Sequence, residues 1–281
     1  MKLLITGAAG MLGTDAQAAA RAAGHKVVAL SRAGLDISDR DAVAAAVADA
    51  QPDASLNCAA YTNVDGAEAD PDGAAAVNAS GPGHLGEAAS AAGAWVVHVS
   101  TDYVFDGTKT SPYVESDPTG PRSIYGSTKL LGERALAIAA PGNYTVVRSS
   151  WLFGAAGSCF PATMLRLAAE RDTLTVVDDQ VGCPTFTGHL APALVELATR
   201  TRLPGTLHLA ASGHCSWYEF AAEIMRATNT SVAVRPCSAE QFPRPATRPA
   251  YSVMRSERPV APVLPEWRQG LSDYLSARVP A

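Results

Sequence analysis

Tyr125-Gly-Ser-Thr-Lys129 is the pattern in this chain best suited to chemistry. A phenol four residues before an ammonium, both on one helix, lies on the same face as it. The charge favours the phenolate, so the spacing predicts that Tyr125 exchanges a proton more readily than a free tyrosine, whose pKa is about 10. Upstream, Gly7-Ala-Ala-Gly10-Met-Leu-Gly13 follows an apolar run and opens an alanine-rich stretch. Such a loop is built to hold a dinucleotide. Together the two patterns predict hydride transfer with a tyrosine handling the proton.

The glycines divide the work of the loop. Gly7 permits the tight turn, Gly10 lets backbone amides approach a pyrophosphate, and Gly13 lets helix and strand pack closely. A helix N-terminus then faces the phosphate charge. The spacing is G-x-x-G-x-x-G, and by itself it also fits a plain turn. The next strand, Lys26–Leu30, ends in Ser31-Arg32 with no carboxylate to grip a ribose 2'-hydroxyl. A guanidinium pairs with a 2'-phosphate, and a serine donates to it. NADPH is therefore the expected cofactor, with NADH as the alternative; the plainer reading of Arg32 is an ordinary surface residue.

Other chemistries find less support. The five cysteines (Cys58, Cys159, Cys183, Cys215, Cys237) are scattered without Cys-x-x-Cys spacing, which fits a reducing cytoplasm and gives no metal site. His98, inside an apolar run, reads as a satisfied core residue, not a general base. Charged residues make up only 17% of the chain and the net charge is -5, so neither nucleic acid nor a membrane surface is an expected partner. No apolar run is long enough to cross a bilayer. The opening Met-Lys-Leu-Leu-Ile-Thr-Gly leads straight into a strand and turn, so a signal peptide is not expected and the cytoplasm is the expected location.

The elements that must position these groups alternate along the chain. Apolar runs at Lys2–Thr6, Lys26–Leu30, Ala54–Asn57, Trp95–Ser100 and Tyr144–Arg148 read as buried strands. Helices are expected over Leu12–Ala23, Arg40–Ala50, Ala67–Ala79, Pro82–Ala92 and Ser123–Ala139, the second capped by Ser38 with Asp41. That alternation predicts an α/β fold, a doubly wound parallel sheet of Rossmann-like type. Further strands are expected at Leu174–Val177 and Thr206–Leu209, and helices over Phe160–Glu170, Leu190–Thr201 and Trp217–Thr228. The segment Cys237–Pro265, rich in proline and arginine, reads as a loop-dominated cap, and its Arg244, Arg248 and Arg255 as solvated surface or as contacts for a diphosphate. Residues 1–150, completed by about 184–210, form the expected dinucleotide-binding domain. Residues 151–183 and 211–281 form a smaller substrate-binding lobe.

Several segments carry a resemblance. They are Asn57–Asp65, Val77-Asn78-Ala79, Ser100-Thr-Asp-Tyr-Val-Phe-Asp-Gly107, Tyr125–Lys129, Arg148–Gly154, Asp179-Gln-Val-Gly-Cys-Pro-Thr185 and Arg248–Ser252. Over essentially its whole length the chain resembles the extended short-chain dehydrogenases/reductases and, within them, the dTDP-4-dehydrorhamnose reductases. The resemblance implies reduction of the C4 ketone of a dTDP-sugar, dTDP-4-dehydro-beta-L-rhamnose, to dTDP-L-rhamnose. It implies that Thr101, Asp102, Tyr125 and Trp151 meet the sugar, with Tyr125 giving its oxygen a proton and Thr101, Tyr125 and Lys129 as the catalytic set. Gly10, Met11 and Leu12 would sit on the pyrophosphate, Asp36 and Ile37 near the adenine, and Ala59, Ala60 and Tyr61 along the dinucleotide. Lys129 would hold the nicotinamide ribose.

The residues also depart from the family pattern. Asp15 stands where some relatives carry a glutamate involved in a magnesium-mediated homodimer, and the shorter side chain puts both metal and dimer in doubt. Cys159 and Cys183 replace asparagine and a small residue. Asp102 is followed by Tyr103 where a dehydratase of the superfamily needs a second acid. The competing expectations are a reductase of another dTDP-4-keto-deoxysugar, an epimerase, and a non-catalytic regulatory subunit resembling the methionine adenosyltransferase beta subunit.

Overall fold

The structure is a computed structural model and describes residues 1–278. Its spine is a six-stranded sheet in which all neighbours run parallel. The strands are β1 (Lys2–Thr6), β2 (Lys26–Leu30), β3 (Ala54–Asn57), β4 (Trp95–Thr101), β5 (Tyr144–Ser149) and, later in the chain, β7 (Gly205–His208). Their spatial order is β7-β5-β4-β3-β1-β2. Alternation along each strand sends side chains to opposite faces. Leu3, Ile5, Leu56, Val97 and Val147 pack on one side under helices α1 (Met11–Ala22) and α6 (Thr187–Thr199). Leu4, Val96 and Val146 pack on the other, with α2 (Arg40–Ala50), α3 (Gly81–Ala91) and α4 (Ile124–Ala139). With both faces covered, these strands read in the sequence as near-continuous apolar runs.

The smaller lobe has its own apolar centre, in which Phe153, Phe220, Trp267, Leu271 and Tyr274 are almost fully buried. It is framed by α5 (Phe160–Ala168), α7 (Trp217–Ala227) and α8 (Trp267–Arg278), with a parallel pair, β6 (Thr173–Val177) and β8 (Ala233–Cys237). A capping box between Ser216 and Glu219 starts α7. The segment Cys237–Pro265 holds no long element but is tied down: Arg248 clamps Asp65 with bonds of 3.0 and 2.8 Å, and Ser116 binds Glu257.

Two local expectations need correction. Helix α2 is capped by Asp39, which accepts from the amides of Asp41 and Ala42; Ser38 instead donates to Asp36. The single helix expected over Ala67–Ala79 is divided into Val64–Ala69 and Pro71–Ala75, followed by a π-helical turn at Ala76–Ser80. Pro71 lacks the amide that would continue the first segment, and Asp70 caps the second by accepting from the Gly73 amide.

Candidate active site

A cavity of about 880 Å³ runs along the carboxyl ends of the strands, from the glycine loop to the smaller lobe. Doubly wound sheets place ligands at this edge. Gly7 turns with φ of +66°, where a Cβ would stand 2.6 Å from the Ala59 amide nitrogen. Gly13 brings α1 so near the loop that a Cβ would lie 2.2 Å from the Gly7 carbonyl oxygen. Gly10 caps α1 without a side-chain acceptor, and the first turn has no acidic residue. Its orphan amides are thus free for an anion, and a dinucleotide pyrophosphate fits this cradle.

The wall contains nearly every residue singled out above. Gly7, Gly10, Met11, Leu12 and Gly13 form the floor at one end, with Arg32, Asp36 and Ile37 at its far corner and Ala59, Ala60 and Tyr61 along the side. Thr101, Asp102, Tyr125, Lys129 and Trp151 surround the other end. Among the expected cofactor contacts Ser31 is the exception: it does not line the cavity, and its carbonyl instead closes a turn by accepting from the amides of Gly34 and Leu35. Asp36 is held below the usual carboxylate range by hydrogen bonds from Ser38. Arg244 and Arg248 point to Asp65 and not to the cavity, so neither is placed for a diphosphate there. Arg255 lies outside it too.

The reactive groups differ from expectation in one respect. Ser123 caps α4 by accepting from the Gly126 amide, which sets Tyr125 in the first turn and Lys129 one turn on. The shared face is present, yet Lys129 Nζ is turned into the sheet, donating to the Val99 carbonyl at 2.6 Å and lying 3.2 Å from His98 Nε2. Burial pushes the Tyr125 phenol up to about 12, and only the neighbouring Thr101 hydroxyl draws it back. This direction is opposite to the expected acidification. Burial also lowers Lys129 to about 8 and raises Asp102 to about 6. Thr101 donates to Asp102 at 3.0 Å and accepts from the Tyr103 amide.

A buried ion pair fixes α4 to the sheet. Arg148 on β5 binds Glu133 through two bonds of 2.9 and 2.7 Å, and Ser100 on β4 adds a third at 2.5 Å. This lock lies one turn beyond Lys129 and holds the helix that carries both reactive groups.

Several features of the site escaped sequence reasoning. Trp217 lines the cavity and stacks on Trp151 with centroids 3.5 Å apart and planes within 4°. Trp151 itself adopts φ of +49°, a left-handed conformation that costs a bulky residue energy. Ser149 lines the cavity with a buried hydroxyl that has no hydrogen-bond partner. Asn78, in the π-helical turn, clamps the Tyr61 backbone by bonding both its amide and its carbonyl. The motif around Asn78 was visible; the partner of Trp151 carried no local signal.

Among the described residues no three His, Cys, Asp or Glu side chains converge as metal ligands. No helix there is long and apolar enough to cross a membrane. All five cysteines are free thiols.

A six-stranded parallel doubly wound sheet, a glycine loop and a Tyr-x-x-x-Lys helix at the strand ends define the class of the extended short-chain dehydrogenases/reductases. Within it, the family described as RmlD substrate binding domain matches residues 1–279, and the chain belongs to that family. It is 46% identical to the dTDP-4-dehydrorhamnose reductase of Mycolicibacterium smegmatis, an alignment covering 100% of this chain and 86% of that protein. A probable dTDP-4,6-dihydroxy-2-methyloxan-3-one 4-ketoreductase of Streptomyces antibioticus is 42% identical over 100% of this chain and 98% of its own. The crystal structure of dTDP-4-dehydrorhamnose reductase from Bacillus anthracis in complex with NADP superposes with a TM-score of 0.95 at 36% identity, covering 98% of this chain and 99% of that one.

Proposed function

We propose that this chain reduces the C4 ketone of dTDP-4-dehydro-beta-L-rhamnose to dTDP-L-rhamnose with NADPH. The observation that carries the reading is the convergence of Thr101, Tyr125 and Lys129 at one end of a cavity whose other end is the glycine cradle. When bound, the reduced nicotinamide supplies a hydride to the ketone carbon. Tyr125 donates its proton to the carbonyl oxygen, where negative charge develops. A phenol near 12 still performs this step, because the alkoxide of a sugar carbinol is the stronger base. Thr101 releases its hydrogen bond to Asp102 and donates to the ketone oxygen beside the phenol. Lys129 holds the nicotinamide ribose and stabilises the phenolate left behind.

Around this centre, Arg32 takes the 2'-phosphate, Asp36 and Ile37 flank the adenine, and Ala59, Ala60 and Tyr61 border the dinucleotide. Trp151, backed by Trp217, covers the nucleotide-sugar, with residues 151–183 and 211–281 as the substrate-binding lobe. Incubating the protein with NADPH and dTDP-4-dehydro-beta-L-rhamnose, then identifying the product by NMR, tests the reading. Formation of dTDP-L-rhamnose supports it; no NADPH consumption refutes it. The 42% identical ketoreductase favours a second reading, reduction of another dTDP-4-keto-deoxysugar. Faster turnover of such a sugar than of the rhamnose precursor would select it.

A further inference from the structure

A buried chain of polar groups runs behind the cavity, from Thr6 on β1 through Asn57 on β3 and His98 on β4 to Lys129. Thr6, Asn57, His98 and Lys129 are each no more than 2% exposed, so water cannot take the place of a missing partner. Every hydrogen in the chain must therefore face an acceptor.

The bookkeeping has one solution. The Ala59 amide points at the side-chain oxygen of Asn57 at 3.1 Å, and Thr6 Oγ1 donates to the same oxygen at 2.7 Å. An amide N–H can only donate, so this contact fixes which way the Asn57 side chain is turned. Asn57 Nδ2 is then the atom 3.0 Å from His98 Nδ1, and it must donate. His98 Nδ1 carries no hydrogen in consequence, and the neutral ring bears its proton on Nε2. That proton points at Lys129 Nζ, 3.2 Å away. An ammonium has no lone pair to receive it, whereas a neutral amine does, while still donating to Val99 at 2.6 Å.

We propose that His98 is a positioning residue for the reductase reaction: locked by Asn57 as the Nε2–H tautomer, it presents a donor to Lys129 and favours the neutral amine in the cofactor-free site. This inference rests on the reductase reading above and adds to it what sets the charge state of its lysine. The lowered proton affinity of both buried groups agrees in direction, burial being the main cause for each. Other titratable groups bear on Lys129 from three elements. Glu133 on α4 is already spent on Arg148 of β5, Cys58 follows β3, and Tyr125 lies one turn earlier. Glu133 and Cys58 favour the charged lysine, so His98 is the hydrogen-bonding side chain that opposes it.

Two measurements test this. In long-range proton–nitrogen NMR of the whole cofactor-free protein, the histidine absent from His98→Gln should show a bare Nδ1 and a protonated Nε2 in the parent chain. An Nδ1–H tautomer or an imidazolium overturns the proposal whether or not the protein reduces any sugar. The second is the alkaline limb of kcat/KM. Asn57→Asp places an acceptor opposite Nδ1, flips the tautomer and turns the Nε2 lone pair toward Lys129; His98→Gln allows an amide oxygen to face it. Both should move the limb to higher pH by on the order of one unit. An unmoved limb in two active, folded variants sinks the idea and leaves the reductase reading standing. Absence of turnover in the parent protein defeats that reading instead, while the NMR result still judges the tautomer.

Discussion

Replacing Tyr125 with phenylalanine separates proton supply from packing. The ring meets Tyr103 edge-on with centroids 5.5 Å apart, a contact that phenylalanine keeps. The lost hydroxyl stands near Thr101, which draws its pKa down. Stability should therefore fall by no more than about 1 kcal/mol, the net worth of one hydrogen bond. The chemical step loses its acid, which contributes typically about 10²–10⁴-fold. At about 1.36 kcal/mol per tenfold, that is ~3–5 kcal/mol of transition-state stabilisation. The loss should appear in kcat, with NADPH affinity nearly unchanged, because the phenol acts on the sugar oxygen. Because the phenol sits near 12, it is protonated across the neutral range and does not set an alkaline limb there. Lys129 does: near 8, it is an ammonium below that pH and an amine above, so activity falls as pH rises through this region. Stopped-flow NADPH oxidation, paired with thermal unfolding and NADPH titration, reads all three quantities. A Tyr125→Phe enzyme within roughly threefold of the parent kcat would show that another group delivers the proton.

Three further outcomes follow from the geometry. Glu133→Ala strands the buried Arg148 guanidinium without its partner and should cost about 3–5 kcal/mol in denaturant unfolding; a change under about 1 kcal/mol would mean the pair does not fasten α4. Arg32→Ala should erase a preference for NADPH over NADH in kcat/KM, and equal use of both cofactors by parent and variant would remove Arg32 from 2'-phosphate recognition. Gly7→Ala combines an unfavourable positive φ with a Cβ 2.6 Å from Ala59, so it should lose ~1–3 kcal/mol and weaken NADPH binding in calorimetry. Unchanged binding would mean the loop does not touch the dinucleotide.

The doubly wound sheet was legible because its strands are buried on both faces and therefore appear as apolar runs between alanine-rich helices. Strand β8 was not, since Arg235 and Pro236 break its apolar character; it is the partner of β6 alone, where a missing amide does little harm. The two-residue strands of the smaller lobe, such as Leu152–Phe153 and Thr185–Phe186, are too short to carry any period. At the site, the four-residue spacing placed Tyr125 and Lys129 on one face but said nothing of side-chain torsions. It could not show that Lys129 reaches back to Val99 and His98. His98 was read as a satisfied core residue, and it is buried with both ring nitrogens engaged. Ser149 and Trp217 come to the cavity from segments nearly 70 residues apart, an approach that only tertiary structure creates.

The stacked tryptophans join the two halves of the molecule by different routes. Trp151 stands at the junction, two residues after β5 of the main sheet, whereas Trp217 opens a helix of the smaller lobe. Two indoles in face-to-face register couple their electronic transitions, so their joint optical signature exists only while the halves keep this spacing. Near-ultraviolet circular dichroism thus gives the protein a built-in ruler: any rotation of one half against the other must pull the rings out of register and dim the signal.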